Sequence, residues 1–145
     1  MSGLLNFDLS LPSRIELIDE LCERVSGLLK QLGYAEDDVY AFDLSVREAV
    51  VNAMRHGNGF DPALSVTVRV EVSDDDCTIR VGDSGKNGRA ALKRLADLLA
   101  PNGRGLLIML SLMDTVQFAR KKDRFEVVLR KRVRIPSKKM PAVTF

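Results

Sequence analysis

Residues 64–72, LSVTVRVEV, alternate apolar and polar side chains, and after the aspartates at 74–76 the alternation resumes in CTIRVGD, residues 77–83. Strict alternation marks a strand with one buried and one wet face, and two such runs joined by a turn read as a β-hairpin. The hairpin limits the fold strongly, because the remaining segments must cover its single apolar face. Residues 4–11, LLNFDLSL, also alternate and read as a strand. Pro12 and Ser13 then predict a helix over about 13–33, ended by Gly33, and a second helix is expected over about 36–56, stopped by HGNG. Beyond the hairpin come a short helical patch, RAALKRLADLLA, the glycine-bracketed PNGRG, a helix over LLIMLSLMD, and strands at about 115–120 and 124–135. The strands cluster rather than alternate with helices. The expected class is therefore α+β, a two-layer α/β sandwich with a mixed sheet and helices on one face. Residues 1–135 are expected to form a single domain, with residues 136–145 a loose C-terminal tail after Pro136.

At 145 residues the chain is long enough for one core, since a domain of this size buries roughly 68–70% of the surface its unfolded chain exposes. With 46% apolar and 29% charged residues it has the balance of a globular protein. No apolar run approaches the roughly 18 residues of a membrane span, and the N-terminus lacks a basic start followed by an apolar stretch. A cytoplasmic protein with no membrane partner is expected. Cys22 and Cys77 form no C-x-x-C pair and read as two ordinary thiols, and a single histidine leaves no multi-histidine zinc site. From Arg120 onward basic residues accumulate, which raises the question of nucleic acid. In FEVVLRKRVRI, however, Phe125, Val127, Leu129, Val133 and Ile135 share one face and Arg130, Arg132 and Arg134 the other. A solvated outer strand face accounts for these arginines without a ligand. An acidic partner surface is the alternative, and no nucleic acid is expected.

The segment SVREAVVNAMRHGNG, residues 45–59, carries the chemistry. Val39, Phe42, Val46, Ala49, Val50 and Ala53 form one stripe at helical spacing that should face the sheet. Leu44, Val51 and Met54 flank it, leaving a narrow polar window of Ser45, Glu48, Asn52, Arg55 and His56. Glu48 and Asn52 form an i, i+4 pair and Asn52 and His56 another, so all three side chains are expected in register along one groove. Taken alone, the window is also what a solvated helix edge looks like.

Two further stretches bear on it. TIRVGDSG ends its strand in Asp83, two residues before Gly85. An ionised carboxylate only accepts hydrogen bonds and suits a donor such as an exocyclic amine, although D-x-G also fits any strand-to-turn junction. In NGRGLLIML, Gly103 and Gly105 bracket Arg104 where an apolar helix starts, and free N–H groups there would receive phosphate oxygens. A glycine-rich turn before a core helix explains the glycines but not the arginine. Neither a P-loop nor G-x-G-x-x-G is present.

In this chain order, EAVVNAMRHG, GDSG and GRGLLIMLSLMD resemble the GHKL group of ATP-binding domains, and within it the small anti-sigma-factor serine/threonine kinases of bacteria. The resemblance covers residues 8–132 or so. It implies a histidine-kinase-like (Bergerat-type) fold, with ATP and Mg²⁺ as cofactors. It implies Asn52 as the magnesium ligand and Glu48 as the general base toward a serine hydroxyl. Arg55 and His56 would lie near the phosphates and Asp83 would accept the adenine amine, with Gly85 giving clearance. Gly103, Arg104 and Gly105 would close over the phosphates after a lid at about 86–102. The implied function is an anti-sigma regulator that sequesters a sigma factor and phosphorylates an anti-anti-sigma antagonist, often as a homodimer. The alternative is a non-catalytic, partner-capturing module of the same fold. Three departures from the pattern stand out: Asn87 replaces the second glycine of the adenine motif, the lid carries RAALKRLADLL, apolar and basic at helical spacing, and KDRFEVV replaces a Gly-Thr pair on a late strand.

Overall fold

A computed structural model of the chain describes residues 5–84, 104–121 and 124–133. The expectations for Gly85, for Asn87 and the lid, for Gly103, and for residues 134–145 lie outside the described residues.

The hairpin forms as expected. β2 (Ser65–Val72) buries Val66, Val68, Val70 and Val72, and β3 (Asp76–Asp83) buries Cys77, Ile79 and Val81. Ser73 closes the turn, with its N–H donating to the Asp76 carbonyl (2.9 Å) and its hydroxyl to Asp76 Oδ1 (2.7 Å). β1 (Leu5–Pro12) pairs with the outer side of β2, from Leu5↔Val72 to Pro12↔Ser65. β4 (Thr115–Lys121) and β5 (Arg124–Arg132) form a second hairpin, giving the strand order β1-β2-β3-β5-β4.

The expectation of a mixed sheet is corrected here, because all four pairings are antiparallel. β3 and β4 do run in the same direction, since both are antiparallel to β5. The hairpin folds β5 back between them, so the two parallel strands never touch. The α+β class and the two layers stand.

α1 (Ile18–Gln31) buries Ile18, Leu21, Cys22, Val25 and Leu29, and Gly33 ends it with a positive φ of 90°, a conformation suited to glycine. Its start differs from the expected residue 13. β1 runs through Pro12, and a 3₁₀ turn (Ile15–Leu17) leads into the helix. Ser13 is drawn away from capping because its hydroxyl donates to the Leu64 carbonyl (2.7 Å) at the β1–β2 end.

α2 (Glu36–Asn52) lays the predicted stripe on the sheet, with Val39, Phe42, Val46, Ala49 and Val50 all buried. Each of the valines and Phe42 contributes roughly 1.5–3 kcal/mol of transfer free energy. Three carboxylates in its first turn, Glu36, Asp37 and Asp38, suit the positive end of the helix dipole. Asp38 also meets Lys131 of β5 (3.2 Å), and Arg47 ties α2 to Asp19 of α1 (2.6 Å). α3 (Arg104–Leu112) packs against α2. The opposite sheet face carries ion pairs, Arg69–Glu71 (3.1 Å) and Arg80–Glu71 (3.2 Å) among them. Among the described residues no helix is long and apolar enough to cross a membrane. Both cysteines are free and buried, and burial pushes the thiols up, to about 11 for Cys22 and about 12 for Cys77, so neither is a reactive thiolate at neutral pH.

Asp76 links the two hairpins, since Arg130 donates to its Oδ2 through Nη2 (2.6 Å) and Nε (3.0 Å). The Ser73 hydroxyl, followed by Arg130, holds the Asp76 carboxyl below its usual range. A carboxyl depressed in the folded state stabilises the fold above its unfolded value and loses that contribution as pH falls through the folded one. Asp76→Asn is expected to cost about 1–3 kcal/mol at neutral pH. Measured by urea unfolding across pH, its deficit against wild type should shrink below about pH 4.

Candidate functional site

The polar window of α2 is not a wet helix edge. Ser45 is fully buried, Asn52 is only 6% exposed, and Glu48 is half-buried. Glu48 lies against the start of α3: a Cβ added at Gly105 would stand 2.6 Å from Glu48 Oε1 and 3.4 Å from its Cβ and Cδ. Glycine at 105 thus lets the first turn of α3 sit against the carboxylate. The neighbouring Arg47 points elsewhere, to Asp19 and Asp43.

One turn on, Asn52 presents both Oδ1 and Nδ2 to the interior, and neither has a hydrogen-bond partner among the described residues. A buried amide in that condition costs about 1–3 kcal/mol for each unpaired group, a penalty that an incoming ligand can relieve. Its carbonyl oxygen is a neutral, hard donor of the kind that suits Mg²⁺.

After Asn52 the helix widens. Ala53–Gly57 form a π turn, with the Asn58 N–H donating to the Ala53 carbonyl five residues back (2.9 Å). Such insertions are rare and recur at functional sites. Glu48 and Asn52 lie in the α-helical register of α2, and His56 falls within the π turn that follows. His56 is half-buried, and Arg55 is exposed on the turn.

The wider turn carries Gly57 onto Asp83. Asp83 ends β3 and is 2% exposed, and any Cβ at residue 57 would overlap its carboxylate. The three stretches therefore converge on α2, with Gly105 at Glu48, Asp83 at Gly57, and Asn52 between them. Arg104 is exposed at the first residue of α3. Sequence reasoning missed Gly57, Asn58 and Ser84. HGNG was legible as a helix stop, but nothing in its spacing showed that its middle residues would reach the end of β3.

Comparison with known proteins identifies the family. The model of the histidine kinase-like ATPase domain matches residues 11–131. The chain belongs to this family. Among its relatives, serine-protein kinase RsbW of Bacillus licheniformis is 30% identical over 116 residues, covering 73% of this chain and 72% of that one. The anti-sigma F factor of Clostridium perfringens (strain ATCC 13124) is 26% identical over 114 residues, 74% of this chain and 81% of that one. These place the chain in the GHKL-type anti-sigma kinase family. In solved structures the same fold occurs in the RsbU and RsbW domains of Rv1364c from Mycobacterium tuberculosis, with a TM-score of 0.68 at 17% identity. That match covers 89% of this chain and 32% of the other, so this chain corresponds to about a third of it.

Two expectations follow from this geometry. Asn52→Leu removes an unsatisfied amide while keeping the volume, and should raise the stability of the ligand-free protein by about 1–3 kcal/mol in calorimetry. Gly57→Ala forces Asp83 away from the turn and should lower stability by about 1–3 kcal/mol in chemical denaturation.

Proposed function

We propose that the protein binds Mg-ATP in the cleft between α2, the end of β3 and the start of α3, and transfers the γ-phosphoryl group to a serine or threonine of an anti-anti-sigma antagonist. By the same reading it sequesters a sigma factor, acts in the cytoplasm, and works as a homodimer. The observation that carries this is the buried, unpartnered amide of Asn52, set between a carboxylate at Glu48 and a carboxylate at Asp83. The relatives' names, serine-protein kinase and anti-sigma F factor, supply the class of reaction and of partner.

Bound Mg-ATP would supply the phosphoryl group and the metal charge that draws its oxygens together. The residues of the chain position and neutralise. Asn52 would hold the cation through Oδ1. Asp83 accepts from the adenine amine, with its carboxylate directed by contact with Gly57. Glu48 would orient the incoming hydroxyl and take its proton as the oxygen bonds to the γ-phosphorus and the bond from that phosphorus to the β-phosphate oxygen breaks, with ADP as the leaving group. The N-terminus of α3, with Gly105 and Arg104, offers free N–H groups and a positive charge to the phosphates, and Arg55 and His56 stand at the other end of the same strip. Gly85 and Gly103 complete the adenine and phosphate contacts in this reading.

Glu48→Gln is expected to slow transfer to a cognate antagonist about a hundredfold to ten-thousandfold while leaving the Mg-ATP thermal shift of the wild type in place. Asn52→Leu should abolish that shift, because a ligand raises Tm only through affinity for the native state. A wild-type protein whose Tm is unmoved by millimolar Mg-ATP would overturn the nucleotide reading and leave a partner-capturing module in its place.

A further inference from the structure

The β2–β3 ladder stops early. Its last pair is Thr67↔Gly82, and continuing that register would set Ser65 opposite Ser84. β2 itself goes on, paired on its other side with β1 through Leu11↔Val66 and Pro12↔Ser65. The carboxamide of Asn58 stands where the missing rung would be. Its Nδ2 donates to the Ser65 carbonyl (3.1 Å) and to Ser13 Oγ (2.8 Å). Its Oδ1 accepts from the Ser84 N–H (3.0 Å) and from Ser84 Oγ (2.8 Å).

This orientation is forced, since a backbone N–H only donates and a carbonyl only accepts. All four hydrogen-bonding positions of the amide are used, and Asn58 is 2% exposed. An ordinary ladder pair would have satisfied Ser65 and Ser84 equally well. What the wedge adds is separation: it parts β2 from β3 immediately after Asp83. Asn58 also follows Gly57, so the last residue of the turn and the one after it hold the last residue of β3 and the one after it, Gly57 against Asp83 and Asn58 bonded to Ser84.

We propose that Asn58 is a positioning residue for base recognition: by replacing a β2–β3 rung it fixes the direction of the Asp83 carboxylate without itself touching the nucleotide. This rests on the reading of Asp83 as acceptor of the adenine amine. A site built around such a bond discriminates strongly against an analogue that lacks the donor.

The test compares Mg-ATP with Mg-ITP, whose base carries an oxygen in place of that amine, by calorimetric titration of the full chain. The wild type should prefer ATP, and Asn58→Ala should lose about tenfold of that preference, the equivalent of one displaced hydrogen bond. Ser13→Ala cuts a bond on the far side of the same amide, and should lower Tm while leaving the preference intact. Should Asn58→Ala fail to fold, Ser84→Ala removes one of the two bonds to Oδ1 and should lose part of the preference. A lowered Tm with the wild-type ATP-to-ITP ratio, in whichever of the Asn58 and Ser84 variants folds, would overturn the proposal by showing a purely structural amide. A wild type without the preference would instead refute the reading of Asp83, and this inference with it.

Discussion

The backbone of Gly57 resting on the carboxylate of Asp83 is the contact on which the site depends, because there the helical layer meets the open end of the sheet. α2 is already committed before it reaches Asn52. Asp38 is held by Lys131 of β5, and Arg47 is held by Asp19 and Asp43. A helix pinned in this way can adjust its far end only through local geometry. The π turn supplies that adjustment, taking up one more residue than an α turn and bringing Gly57 and Asn58 to β3.

Local costs gather around the same place. Asn52 keeps a buried amide unpaired, and Phe60, a residue with a Cβ, holds a positive φ of 57° where the loop leaves the turn. The stripe from Val39 to Ala53 offsets them, since it is buried along its whole length. Strain and unmet polarity held against a well-packed support are a pattern that recurs at functional sites.

Much of this was legible in the residues. Alternation located β1, β2 and β3 to within a residue or so, because one face of each strand is dry and the other wet. The apolar stripe of α2 and the glycine that ends α1 were equally readable. Strand direction was not: period-2 patterns say which face is buried, not which neighbour a strand will pair with, so the antiparallel insertion of β5 stayed hidden. The π turn was hidden too, since AMRHG has nothing in its local propensities to separate it from an α-helix. Ser13 was misplaced because a helix cap and a buried hydroxyl bonded to a distant carbonyl use the same side chain. Asn58 was invisible for a related reason, as its four bonds reach Ser13, Ser65 and Ser84 across up to 45 positions of the chain.

The strand order carries one more consequence. β5 lies between β3 and β4, although it is made after both. A nascent chain emerging from the ribosome therefore cannot close its sheet from the first strand to the last. β4 waits without a neighbour, and the edge of β3 stays open, until the segment through Arg132 has been released. Pairings this distant in sequence are slow to form, and the unpaired edge exposed meanwhile invites pairing with other chains. Newly synthesised copies thus pass through a window of vulnerability that the finished molecule no longer has.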